Sequence, residues 1–120
     1  LTMTTLLIIS AHPPYVDSAA QDALEAALAA SNVGVEVTFV FSQQGLYQLL
    51  ESQNSTYLQK RSIAKQIKAL PLYDIEAIYY VKDDMADLML SSQALTSVVK
   101  PIDTDALQRL CAASNAILRF

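Results

Sequence analysis

The sequence predicts an α/β fold, a single open and mainly parallel five-stranded sheet with helices on both faces. Three observations carry that expectation. Five short runs have the aliphatic and β-branched density of strands buried on both faces. Segments with helical spacing lie between them. Strands that alternate with helices need crossovers, and crossovers make parallel sheets. With 120 residues the chain fits one domain, 1–120, long enough to bury roughly two thirds of the surface that its unfolded form exposes.

The first strand is TLLIIS (5–10). Ser18 with Gln21 makes a capping-box pattern, after which Leu24, Ala27 and Leu28 repeat at helical spacing until Asn32 and Gly34 stop the helix. The second strand is VEVTFVF (35–41), followed by a short helix over SQQGLYQLL and a polar, turn-like surface loop, ESQNST (51–56). A longer helix is expected from Tyr57 to Leu70, with Ile63, Ile67 and Leu70 on one face and Pro71 ending it. AIYYV (77–81) is the third strand and TSVV (96–99) the fourth. A last helix starts near Asp103, which can cap it, and turns Leu107, Leu110 and Cys111 inward before the fifth strand, NAILRF (115–120). No internal repeat, low-complexity segment or linker interrupts this order.

Composition narrows the function classes. Hydrophobic residues make up 52% and charged residues 17%, against about 25% charged in ordinary soluble domains. That thin polar cover points to surface buried against a partner. A net charge of −4 argues against a surface given over to nucleic acid, which is held by accumulated Lys and Arg. One cysteine, Cys111, excludes an internal disulfide. The apolar runs fall far short of the roughly 20 residues that span a bilayer, so no membrane association is expected. LTMTTLLIIS lacks the basic flank of a secretion signal and reads as the first strand. The expected compartment is the cytoplasm.

In open parallel sheets ligands bind beyond the carboxyl ends of the strands. Those ends carry AHPPYVDS, SQQG and KDD. With only Gly34 and Gly45 in the chain, and Pro13 and Pro14 in the first of these loops, a glycine-rich phosphate cradle is not present. Asp83 and Asp84 read as N-terminal cap and first-turn acids of a following helix. His12 is the single histidine and has no partner beside it in sequence for metal or acid–base work. Cys111 sits on the apolar side of its helix, where a thiol serves as a small hydrophobe. Lys60, Arg61, Lys65 and Lys68 gather half of the eight basic residues on one helix; they form either a solvated face or a docking patch for an acidic partner or RNA. Tyr47, Tyr57, Tyr73, Tyr79 and Tyr80 suit an interface, although Tyr79 and Tyr80 point to opposite sheet faces and one of them belongs to the core. No catalytic, cofactor-binding or metal-ligating residue is assigned.

LYDIEAIYYV, the ending AILRF, the DTDALQRL helix and GLYQLL after the second strand together resemble the DsrE/DsrF-like family, in its TusC/DsrF branch, along nearly the whole chain in the same order. The resemblance implies a cytoplasmic sulfur relay. TusB-, TusC- and TusD-type subunits assemble as a heterohexamer of two trimers, which passes persulfide sulfur between carrier proteins toward 2-thiolation of the tRNA wobble uridine. In the sulfur-oxidising version DsrE, DsrF and DsrH subunits form the equivalent complex. The family's active cysteine belongs to the TusD/DsrE subunit, just after the third strand; here the matching YYVKDD has no sulfur, and a persulfide cannot be held without a thiolate. The implied role is a non-catalytic subunit without a cofactor, partnered by TusB- and TusD-like chains and not expected to touch tRNA directly. The alternatives are a DsrF-type subunit and a stand-alone persulfide carrier using Cys111.

Overall fold

The computed structural model describes residues 4–14, 17–50, 63–91 and 95–120. Its elements are β1 (Thr5–Ser10), α1 (Ala19–Asn32), β2 (Glu36–Phe41), a 3-10 helix (Gln43–Leu49), α2 (Ile63–Lys68), a 3-10 turn (Leu70–Tyr73), β3 (Ala77–Val81), α3 (Asp83–Asp87), β4 (Lys100–Ile102), α4 (Thr104–Ala113) and β5 (Ala116–Arg119). The five strands form one sheet in the order β4-β3-β2-β1-β5, and all four pairings are parallel. The central strand β2 and its neighbours carry apolar residues at nearly every position, as a sheet covered on both faces requires.

Register divides those residues between two layers. Ile8, Phe39 and Ile78 lie side by side, as do Phe41 and Tyr80. Together they form the larger core with Ala23, Leu24 and Ala27 of α1 and Ile63 and Ile67 of α2. Phe39 and Phe41, two residues apart on one face, stack with ring centroids 4.7 Å apart. Three alanines, Ala20, Ala23 and Ala27, are buried on α1, which lets that helix lie close to the sheet. The opposite layer is thinner: Leu7, Ile9, Val40 and Val81 are covered by Leu107, Leu110 and Cys111 of α4. The three α4 residues read from sequence as inward-facing thus do pack inward, but only half-buried, and from Lys100 to Phe120 every residue is half-buried or exposed.

Several boundaries differ from expectation for identifiable reasons. Ser18 precedes α1 with helical backbone angles, φ −86° and ψ −3°, so its hydroxyl cannot take the capping position and donates to Asp22 Oδ2 instead, at 3.0 Å. Gln21, the other half of the expected capping box, exchanges amide hydrogen bonds of 3.0 and 3.2 Å with Gln66 of α2. α2 ends at Lys68, and Pro71 sits inside the 3-10 turn that follows; the expected start at Tyr57 lies outside the described residues, as does the loop 51–56. The fourth strand is Lys100–Ile102, starting immediately after TSVV: Thr96 and Val99 are buried as an irregular segment that packs on the core. Among the described residues no helix is long and apolar enough to cross a membrane.

Candidate functional site

β1, β2 and β3 stop level with one another, with Ser10 beside Phe41 and Phe41 beside Tyr80. Their carboxyl ends form a rim where a parallel sheet of this kind places its ligands. Hydrogen bonds tie the loops of this rim to one another. Ser42 N–H donates to the Ser10 carbonyl at 3.1 Å, and Gly45 N–H to the Ser42 carbonyl at 2.9 Å. Gly45 rests directly on the end of β1, where an added Cβ would collide with the Ser10 carbonyl oxygen; only a residue without a side chain fits.

Gln48 holds the centre of this seam and is fully buried. Its Nε2 donates to Ser10 Oγ at 2.7 Å and to the His12 carbonyl at 2.9 Å. Both amide hydrogens are thereby used, which fixes the orientation of the group. Among the described residues Gln48 Oε1 makes no hydrogen bond, and neither does Oγ1 of the buried Thr96, whose own N–H donates to the Leu49 carbonyl at 2.8 Å. On the β3 side, Asp84 Oδ2 accepts the Gln43 N–H at 2.7 Å, closing a backbone position that is left-handed at φ 51°. Asp83 Oδ2 accepts from Thr104 Oγ1 at 3.1 Å, and Asp103 Oδ1 caps α4 by accepting the Ala106 N–H at 2.7 Å.

The candidate residues read from sequence therefore separate. Asp83 and Asp84 are both first-turn acids of α3 as expected, but Lys82 occupies the capping position; the two carboxylates brace the rim. His12 has an exposed side chain and contributes to the rim through its backbone carbonyl. Cys111 does not reach the rim. α4 begins beside it and runs back toward the start of β5, so Cys111, seven residues past Thr104, lies about 10 Å along the helix. It is half-buried against Leu7, Ile9, Val40 and Val81. Lys65 and Lys68 are exposed on α2, while Lys60 and Arg61 lie outside the described residues, as does Tyr57. Tyr80 is the core member of its pair, and Tyr73 is half-exposed beside Leu72, which is 84% exposed. Among the described residues no three His, Cys, Asp or Glu side chains converge to hold a metal.

Two rim residues were not singled out from sequence. Gln48 had a signal, a lone polar residue inside the apolar GLYQLL. Gly45 had only its rarity.

A five-stranded, all-parallel sheet with its strand ends tied into one rim defines an open-sheet α/β protein. The crystal structure of the ychN protein from E. coli superposes with a TM-score of 0.87 at 15% identity, over 98% of this chain and all of that one. A protein of unknown function from Methanobacterium thermoautotrophicum gives 0.65 at 11% identity, over 99% of this chain. The model of the DsrE/DsrF-like family matches residues 5–120, and the chain belongs to that family. It is similar to the TusC homolog of Pseudomonas aeruginosa, 29% identical over 95% of this chain and 96% of the relative. It is also similar to the TusC homolog of Vibrio vulnificus and to TusC of Escherichia coli O8, each 30% identical over 98% of this chain and all of the relative. These matches place it beside TusC proteins within that family.

Proposed function

We propose that this chain is the TusC-type, non-catalytic subunit of a cytoplasmic sulfur-relay complex that supports 2-thiolation of the tRNA wobble uridine. Its partners in this reading are TusB- and TusD-like chains, two copies of each in a heterohexamer, with sulfur-carrier proteins acting through the complex. The observation that carries the proposal is the make-up of the rim. The only thiol in the chain lies about 10 Å down α4, and at the strand ends Gln48 Nε2, Asp84 and the His12 carbonyl hold loops together. A relay needs a thiolate that can be approached by donor and acceptor, so the sulfur would pass through a neighbouring subunit while this one supplies a rigid wall. Full-length similarity to TusC proteins supports the tRNA-thiolating version over the sulfur-oxidising one.

The test is genetic and chemical together. Deleting the gene in its host should abolish 2-thiouridine in wobble positions, and Cys111→Ser should restore it to the wild-type level. Loss of the thiolated nucleoside in the Cys111→Ser strain, with the protein present at normal abundance, would make Cys111 a carrier and overturn the non-catalytic reading. Unchanged thiolation in the deletion strain would remove the tRNA role altogether.

A further inference from the structure

At the end of the sheet opposite the rim, two turns lie against each other. One closes α1 and leads into β2; the other, Leu70–Tyr73, leads into β3. Both are closed by the same pair of backbone bonds. Val35 N–H donates to the Ala30 carbonyl and Gly34 N–H to the Ser31 carbonyl, both at 3.1 Å. In the second turn Ile75 N–H donates to the Leu70 carbonyl at 3.3 Å and Asp74 N–H to the Pro71 carbonyl at 3.2 Å. Each pair brackets a left-handed residue, Gly34 at φ 84° and Asp74 at φ 65°, the closure that ends many helices. Ser31 Oγ donates to the Tyr73 carbonyl at 2.7 Å and fastens one turn to the other. Leu70 and Ile75 are buried beneath, yet the turns hold Val33 77%, Leu72 84% and Tyr73 52% exposed. Apolar side chains scattered singly on a surface need no explanation, whereas three gathered on fixed backbone mark a contact site prepared in advance.

The charges around this patch select what fits it. The two segments that build it, 31–36 and 69–76, contain three carboxylates, Glu36, Asp74 and Glu76, and no Lys, Arg or His. All three are exposed, as is Lys68, the base that borders the second segment in the chain. We infer that the patch docks a protein partner whose apolar face is bordered by Lys or Arg. Leu72, Tyr73 and Val33 cover the apolar face, and the carboxylates meet the cations at its edge. Tyrosine suits such a place because its ring is buried while its hydroxyl stays wet. Other occupants meet the wrong charge. Patch-to-patch pairing of two copies would set three carboxylates against three, and nucleic acid or an anionic membrane would bring phosphates to them. Pairs at the edge of a contact steer association and choose the partner more than they hold it, so the apolar residues carry the binding energy. The sulfur-relay reading is not needed for this inference.

Amide chemical shifts of the isotope-labelled full chain, titrated with a helical peptide carrying leucines on one face and lysines on the other, test it. The amides of residues 31–36 and 72–76 should move and saturate, with an affinity that falls as salt screens the edge charges. Replacing the peptide's lysines by glutamates should weaken binding at least about tenfold, and so should Leu72→Ser in the protein. Because Leu72 is 84% exposed, that variant should keep the unfolding midpoint of the wild type. Neutralising the edge with Glu36→Gln, Asp74→Asn and Glu76→Gln together should remove most of the salt dependence, asparagine being at ease in the left-handed backbone of position 74. Shifts confined to the acids at the rim, Asp83, Asp84 and Asp87, would overturn the inference. So would equal affinity for the glutamate peptide, or no saturable shift with the lysine peptide. Should Leu72→Ser fail to fold, the position of the shifts in the wild type still decides.

Discussion

Gln48 and Thr96 are both buried polar residues, and they should respond to substitution in opposite ways. Gln48 donates both amide hydrogens, and removing it strands the buried Ser10 hydroxyl. Gln48→Leu is therefore expected to destabilise the fold by about 1–3 kcal/mol in denaturant titration. Thr96 Oγ1 has no partner among the described residues, so its burial there is a cost with no return. Thr96→Val keeps the shape and removes the unpaired oxygen, and should leave stability unchanged or raise it by up to about 1 kcal/mol. A clear loss in Thr96→Val would show that the hydroxyl is bonded in solution. At Gly45 an added methyl meets the Ser10 backbone rather than a flexible side chain, and Gly45→Ala should cost about 1–3 kcal/mol. Little of this was legible in the sequence. His12 drew notice through its imidazole, whereas its part in the rim is played by a carbonyl, a group that every residue has and that no side-chain pattern reveals.

Regular elements were far more legible than their caps. β1, β3 and the body of α1 follow from runs whose periodicity and burial agree. Asp103 behaves as the sequence predicts, capping α4 by accepting the Ala106 N–H, and Asp103→Ala should lower stability by about 0.5–2 kcal/mol. Ser18 does not, because its backbone already has helical angles, and its hydroxyl donates to Asp22 one turn along. The fourth strand shows a different limit. TSVV has the apolar density of a strand, yet that density marks burial, and here the buried segment is irregular. The true strand Lys100–Ile102 is short and contains a proline, which is tolerated because an edge strand can spare an N–H on its open side. Cys111 follows from its element as well. Half-buried on the inner side of α4, it should react slowly with iodoacetamide in the native protein and quickly once unfolded. Equal rates in both states would contradict the packing of that helix.

At the scale of the whole molecule the fold is lopsided. α1, α2 and the 3-10 helix cover one face with fully buried side chains, whereas among the described residues α4 is the helix that covers the other. Local stability should follow this division. In hydrogen exchange the amides of β1, β2 and β3 are expected to be the slowest, with β4 and the last turn of α4 opening earlier; uniform protection across the sheet would show that the thin layer is as well held as the thick one. The low charge fraction leads one to expect surface buried against a partner, but composition does not say where such surface would lie, nor which strands take the edges, a matter of topology that short-range patterns do not encode.

β1 lies between β2 and β5, and Asn115 fastens it to the last strand by accepting the Thr5 N–H at 2.8 Å across nearly the full length of the chain. A ribosome makes β1 first and β5 last of the five. While the nascent chain grows, β1 can join β2 on one side only, and Leu6 to Ile9 must wait as an uncovered apolar edge until the final strand emerges. For this fold, the interval between those two moments is when misassociation with other nascent chains is most dangerous.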